Sequence, residues 1–218
     1  MKKLSLLLAF AIVMTFVLSG CSPSAQDIED AYSVFGGANA FGSELKNPGT
    51  TKTFAIGGTP TGDYRDAAIN ACNKLNGVST KVNISYNTNN TTGDWRMRTS
   101  TSGDIASNTK GVEYNTSALG NYYVVSSDIV IVSTYCDALT ANQKKYIALH
   151  EMGHTVGLKD LYNPGLSSSN NKQKAYDYIL DNKLTVMLSA YFSKKTEIHA
   201  LTDYSEYDKR SIKDVFGA

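Results

Sequence analysis

The second half of the chain contains His150-Glu151-Met152-Gly153-His154-Thr155-Val156-Gly157-Leu158-Lys159-Asp160. On a helix the two histidines fall at i and i+4, on one face and one turn apart, where both imidazoles can reach a single Zn²⁺. Glu151 follows the first histidine and can reach a water in the open fourth position, so it is the candidate general base. The chain has 3 histidines, and two of them sit here. The bare pentapeptide also fits an amphipathic helix with two surface histidines. The residues after His154 narrow the choice. Gly157 stands three residues after His154, and Asp160 three after that. Glycine can leave a helix in a left-handed conformation, so the chain can double back and bring Asp160 to the metal as a third ligand.

This pattern, HExxHxxGxx followed by Asp, resembles the metzincin zinc endopeptidases. The Asp form is similar to that of the snapalysins, a secreted bacterial branch; most metzincins carry His there. The resemblance implies an α+β catalytic domain. It would have a twisted mixed sheet, two main helices and a small C-terminal subdomain with a Met-turn and a terminal helix, the cleft lying between. It implies His150, His154 and Asp160 as Zn²⁺ ligands and Glu151 as the catalytic base. Thr185-Val186-Met187 resembles the Met-turn, whose methionine packs beneath the ligands. Tyr191 is four residues further on, where some metzincins place a tyrosine after two, so it stands as an oxyanion donor or a cleft-wall aromatic. On chemistry alone His199, Glu197 and Glu206 compete with Asp160 for the third position.

The chain opens with Lys2-Lys3 and an apolar run from Leu4 to Leu18, too short for a confident membrane span and right for a signal segment. Leu18-Ser19-Gly20-Cys21 ends it and resembles a bacterial lipobox, which implies diacylation of Cys21 and tethering to the extracellular face of a bacterial membrane. Residues 1–20 are thus expected as signal peptide, 21–50 as tether or linker, and 51–218 as catalytic domain. Asp27 to Phe35 fits a short helix within the tether. Cys72 and Cys136 are the cysteines left after Cys21. Outside the cytoplasm disulfides persist, so a bond between them is expected, with two buried free thiols as the alternative.

The formal charge is +1, and loss of residues 1–20 leaves 19 basic against 20 acidic residues. Nothing in that balance points to nucleic acid as a partner. The expected partners are a protein or peptide substrate and, through Cys21, a membrane; the chain itself is expected as a monomer. Asp94 and Asp104 lie in a stretch rich in Asn, Thr, Ser and Gly, without the oxygen-ligand spacing of an EF-hand, and read as solvated carboxylates.

Strands are expected at Thr51 to Ile56 and Val82 to Tyr86, with a helix from an Asp63 cap to Gly77 between them. Residues 87–111 read as long loops with one or two short strands. Asn121 to Val125 and Ile129 to Val132 are apolar and β-branched and read as two strands; the first is either the edge that the metzincin resemblance implies for an extended substrate backbone or an ordinary inner strand. Thr140 and Gln143 form a capping box that starts the helix of the two histidines. Asn163 to Lys174 is a polar loop, Ala175 to Asn182 a short helix, and together they read as an insertion shaping the cleft. A helix over Leu201 to Gly217 closes the chain. The reading is a lipid-anchored zinc endopeptidase. Its rivals are a zinc-binding surface lipoprotein that cleaves nothing and a zinc amidase acting on cell-wall peptides.

Overall fold

The computed structural model describes residues 24–41, 51–115, 121–188 and 201–216. The signal segment, Cys21, Tyr191, Glu197 and His199 lie outside them. In chain order the elements are α1 (Ala25–Phe35), a 3₁₀ turn (Gly37–Ala40), β1 (Lys52–Gly58), α2 (Asp63–Asn76), β2 (Ile84–Asn87), β3 (Trp95–Ser100), β4 (Ala106–Asn115), β5 (Asn121–Val132), α3 (Ser133–Cys136), α4 (Ala141–Thr155), α5 (Asn171–Asn182) and α6 (Glu206–Phe216). The fold is α+β.

One five-stranded mixed sheet has the order β2-β1-β3-β5-β4. The first four strands pair in parallel, and β4 runs antiparallel to β5 as the outer strand. Side chains alternate across the sheet. Trp95 and Met97 point into the core, while Arg96 and Arg98 stand on the other face, where both bond Asp128 at 2.6 to 3.1 Å. Helices α2 and α4 cover the inner face. Ala67, Ala68 and Ala71 of α2 have small side chains that let it approach closely, and Leu75, Ile147, Leu149, Met152 and the sheet's Phe54, Ile56, Ile129 and Ile131 fill the core.

Helix α4 is buried on every side from Tyr146 to Gly153, as a helix at the centre of a core must be. The capping box starts it: Gln143 N–H donates to Thr140 Oγ1 at 3.3 Å, and Thr140 N–H donates to Gln143 Oε1 at 3.0 Å. Asp63 does not cap α2. Gly62 takes that place with φ 85°, and the Asp63 carboxylate instead meets Lys144 of α4 at 3.3 Å.

Three further expectations are corrected. Residues 25–41 are not tether: Ala31, Tyr32, Phe35 and Phe41 are core residues. Tyr32 OH donates to Asp214 at 2.7 Å and Gly37 N–H to Ser211 Oγ at 3.1 Å, tying this segment to α6. Asn121 to Val125 and Ile129 to Val132 are not two strands but one, β5; its first part pairs with β4 from Val112 to Asn115, and β3 pairs with β5 only from Ser127 to Val132. The outer strand of the sheet is β4, whose Ala, Asn, Lys and Gly have low strand propensity and read as loop. Cys72 and Cys136 form no disulfide; both are free and fully buried. Their thiols face different surroundings: Cys72 lies in the field of Tyr204, and the Cys136 thiol approaches the Ile105 carbonyl at 3.6 Å.

Candidate metal centre

Helix α4 carries His150, Glu151 and His154 on the side that meets the cleft. Gly153 lies between the histidines, and a Cβ there would come within 2.8 Å of Met187 Sδ and 3.3 Å of Leu158 Cδ1. The glycine, costly inside a helix, therefore admits Met187 directly behind the two histidines. After α4, Gly157 takes φ 97°, open to glycine and strained for other residues. Leu158 N–H bonds back to Gly153 O at 3.1 Å, and the chain reverses.

The returning strip is held on both sides. Lys159 N–H donates to Ala40 O at 3.0 Å, and Leu161 N–H donates to Met187 O at 2.8 Å. Short bridges join Phe41 to Leu158 and Leu161 to Leu188. Asp160 sits between these clamps. His150 Nε2 lies 3.1 Å from Asp160 Oδ1, and His154 Nε2 lies 3.6 Å from it. One ligand atom from each of the three residues falls within 4.8 Å of the others.

The orientation of each imidazole follows from its other nitrogen. His150 Nδ1 lies 2.8 Å from Val186 O, and His154 Nδ1 lies 2.7 Å from Leu158 O. A carbonyl can only accept, so both Nδ1 atoms carry protons and both Nε2 atoms are left to face Asp160. Four-coordinate Zn²⁺ with bonds of about 2.0 to 2.2 Å spaces its donors roughly 3.4 Å apart. The observed 3.1 and 3.6 Å fall on either side of that value. Two imidazole nitrogens and one carboxylate oxygen thus fit a borderline-soft divalent ion.

Burial and mutual charge set the proton affinities. Burial pushes the Glu151 carboxyl up to about 7, with Asp160 adding to the rise and His150 and Lys110 opposing it. Burial, helped by the charge of His150, lowers His154 to about 4. Burial also depresses His150, but its hydrogen bond to Asp160 and the charges of Glu151 and Asp160 outweigh that and raise it. Burial would raise Asp160, and the two histidines more than offset it, so its carboxyl lies below the usual range.

The donors open onto a cleft of about 760 Å³ whose opposite wall is the start of β4, from Asp104 to Lys110. Asn108 locks that wall to the helix. Its Nδ2 donates to Glu151 O at 2.8 Å and Thr155 Oγ1 at 3.0 Å, while its Oδ1 accepts from Ser127 Oγ at 2.9 Å. Val132 N–H donates to Ile105 O at 3.0 Å, which makes Ile105 and Val132 a hydrogen-bonded pair. By alternation the backbone N–H and C=O of Ala106, Asn108 and Lys110 turn away from β5, toward the free edge above the cleft.

The structure brings His150, Glu151, His154 and Asp160 together and places Met187 behind them. Glu206, a rival third ligand, is exposed at the start of α6 and paired with Lys209 at 3.0 Å. Sequence reading missed Asn108, Lys110, Tyr162 and Asp208. Tyr162 lies two residues beyond Asp160, and its OH donates to Asp160 Oδ2 at 3.0 Å, leaving Oδ1 to the histidines. Asp208 follows Ser205 at capping-box spacing, a signal open to detection; Asn108 and Lys110 carry none.

No family model and no curated protein match the chain. Among solved structures it is similar to myroilysin, at 12% identity and a TM-score of 0.46, over 81% of this chain and 96% of that one.

Proposed function

We propose that the chain is a zinc-dependent endopeptidase of the metzincin type, anchored by a lipid on Cys21 at the extracellular face of a bacterial membrane. The observation that carries the enzymatic part is the convergence of His150 Nε2, His154 Nε2 and Asp160 Oδ1 in an open cleft, with Glu151 buried beside them. These three donors would hold Zn²⁺, which supplies Lewis acidity toward a peptide carbonyl and toward water.

Each residue then has a task. His150 and His154 present their Nε2 atoms because Val186 and Leu158 fix their Nδ1 protons. Asp160 adds a negative charge that three histidines would not, which makes the water less acidic and places more demand on the base. Glu151 takes the proton of the attacking water at its carboxylate and passes it to the leaving amine. A cation beside it would draw its pKa below the metal-free value and keep it ionised at neutral pH. Tyr162 keeps Asp160 on one oxygen. Met187, filling the space opened by Gly153, supports the ligands from behind in the manner of a Met-turn. The outward backbone groups of Ala106, Asn108 and Lys110 offer an extended substrate a strand to pair with.

The test is cleavage of casein and of an unstructured peptide by the purified protein. Cleavage should cease with a chelator and return with Zn²⁺, while cell-wall peptides stay intact. Zinc binding without cleavage of any protein would favour the non-proteolytic lipoprotein, and cleavage of wall peptides alone would favour the amidase. The anchor is tested separately: Cys21→Ser should leave the membrane fraction, and unchanged fractionation would reject it.

A further inference from the structure

We infer that Lys110 sets the substrate preference, its ammonium taking the carboxylate side chain of an Asp or Glu next to the scissile bond. This rests on the endopeptidase reading. Lys110 lines the same cleft as His150, Glu151, His154 and Asp160. It pairs across the strands with Ser127, whose hydroxyl reaches Thr155 of α4 at 3.2 Å. Paired residues share a face of the sheet, so the Lys110 side chain rises on the helix side, above the catalytic carboxylate.

The polar side chains nearest the donors are engaged. Asn108 bonds Glu151, Thr155 and Ser127, and Asp160 is held by Tyr162 and the histidines. Lys110 is half-buried, yet it has no hydrogen bond or ion pair with any described residue. A desolvated ammonium with three free donors is costly unless a negative group approaches. Glu151 and Asp160 act on it only through their fields, and the proposed mechanism commits both carboxylates elsewhere. The group left to meet it is one the substrate brings. The edge runs past Lys110 to Asn115, so among the described residues this edge does not end at Lys110 as a site for a chain terminus would, and a side-chain carboxylate in mid-peptide fits. A basic side chain at the same position would be repelled.

The test uses fluorogenic peptides, amidated at the C-terminus, with Glu, Gln or Lys placed in turn at each of three positions on either side of the cleaved bond. At one position the wild type should prefer Glu over Gln by on the order of tenfold in kcat/KM, the worth of one charge-assisted contact. Lys110→Met should bring that ratio near one, and Lys110→Arg should keep most of it. Direct binding of the Glu and Gln peptides to Glu151→Gln protein, with and without Lys110→Met, gives the same comparison without turnover. The inference is overturned by a Glu-to-Gln ratio near one at every position or by a preference that survives Lys110→Met. It is equally overturned if Lys110→Met slows Glu and Gln peptides alike, which would make Lys110 an oxyanion donor or a support for Glu151. A binding preference without cleavage of any peptide would reject the endopeptidase and leave the carboxylate site standing. Cleavage without preference would do the reverse.

Discussion

His150 Nδ1 donates its proton to Val186 O at 2.8 Å, and the same carbonyl accepts Tyr146 OH at 2.9 Å. The N–H of the same residue is held by Asp208, which accepts Val186 N–H at 3.0 Å, Ser205 N–H at 3.2 Å and the Thr185 hydroxyl. Asp208 is therefore a positioning residue, acting on His150 through the backbone of Val186. Asp208→Asn sets an amide donor against N–H groups that need an acceptor. It should lower stability by about 2 kcal/mol and weaken Zn²⁺ affinity about 10-fold or more. Thermal unfolding and chelator competition measure the two effects. Lower stability with unchanged affinity would confine Asp208 to folding.

Gly153 and Met187 should behave as a coupled pair. Gly153→Ala gains about 1 kcal/mol in helix propensity but drives Cβ to within 2.8 Å of Met187 Sδ. The net effect should be destabilisation of roughly 1 to 2 kcal/mol. In a double-mutant cycle, Met187→Ala should remove most of the cost of Gly153→Ala. Additive effects would mean that the close approach does not govern the glycine.

Phe41 tests the role of the N-terminal segment. It is buried, packs edge-on against Phe216 at 5.8 Å, and bridges to Leu158 two residues before Asp160. Phe41→Ala should cost about 3 kcal/mol and weaken metal binding with it, because the strip holding Asp160 loses one of its two supports. A tether residue would show neither effect.

The Glu151 carboxyl is pushed up to about 7 by burial, above its ordinary 4.5. In metal-free protein its contribution to stability is full below about pH 4.5 and is lost as pH rises through about 7. Glu151→Gln removes that loss. The metal-free variant should therefore unfold at a higher temperature than wild type at pH 8, by up to about 3 kcal/mol in stability, with little advantage near pH 4.5. An equal difference at both pH values would mean that the carboxyl does not titrate in this window.

The centre of the site was legible because its parts are local in sequence. Helical spacing fixes His150, Glu151 and His154 relative to one another, and one glycine turn brings Asp160 back. The supports of these parts were hidden, because the partners are remote along the chain. Ala40 and Phe41 meet Leu158 and Lys159, and Asp208 meets Val186, pairings with no periodic signature. The segment before β1 looked like a tether because its small polar residues outnumber Tyr32, Phe35 and Phe41. Strand β4 looked like loop because pairing with β5, and not its own propensity, makes it a strand. Once β4 was missed, so was the outer edge, and with it Asn108 and Lys110. The disulfide expectation came from compartment alone, which says nothing about the direction in which two thiols point.

The proposed centre divides its work: three residues hold the metal while a fourth moves the proton. Zinc content and peptide cleavage, measured together on wild type, Glu151→Gln and Asp160→Ala, separate the two roles. Glu151→Gln should retain one equivalent of zinc and lose nearly all cleavage, while Asp160→Ala should lose zinc and activity together. Loss of zinc from Glu151→Gln, or full zinc in Asp160→Ala, would refute that division.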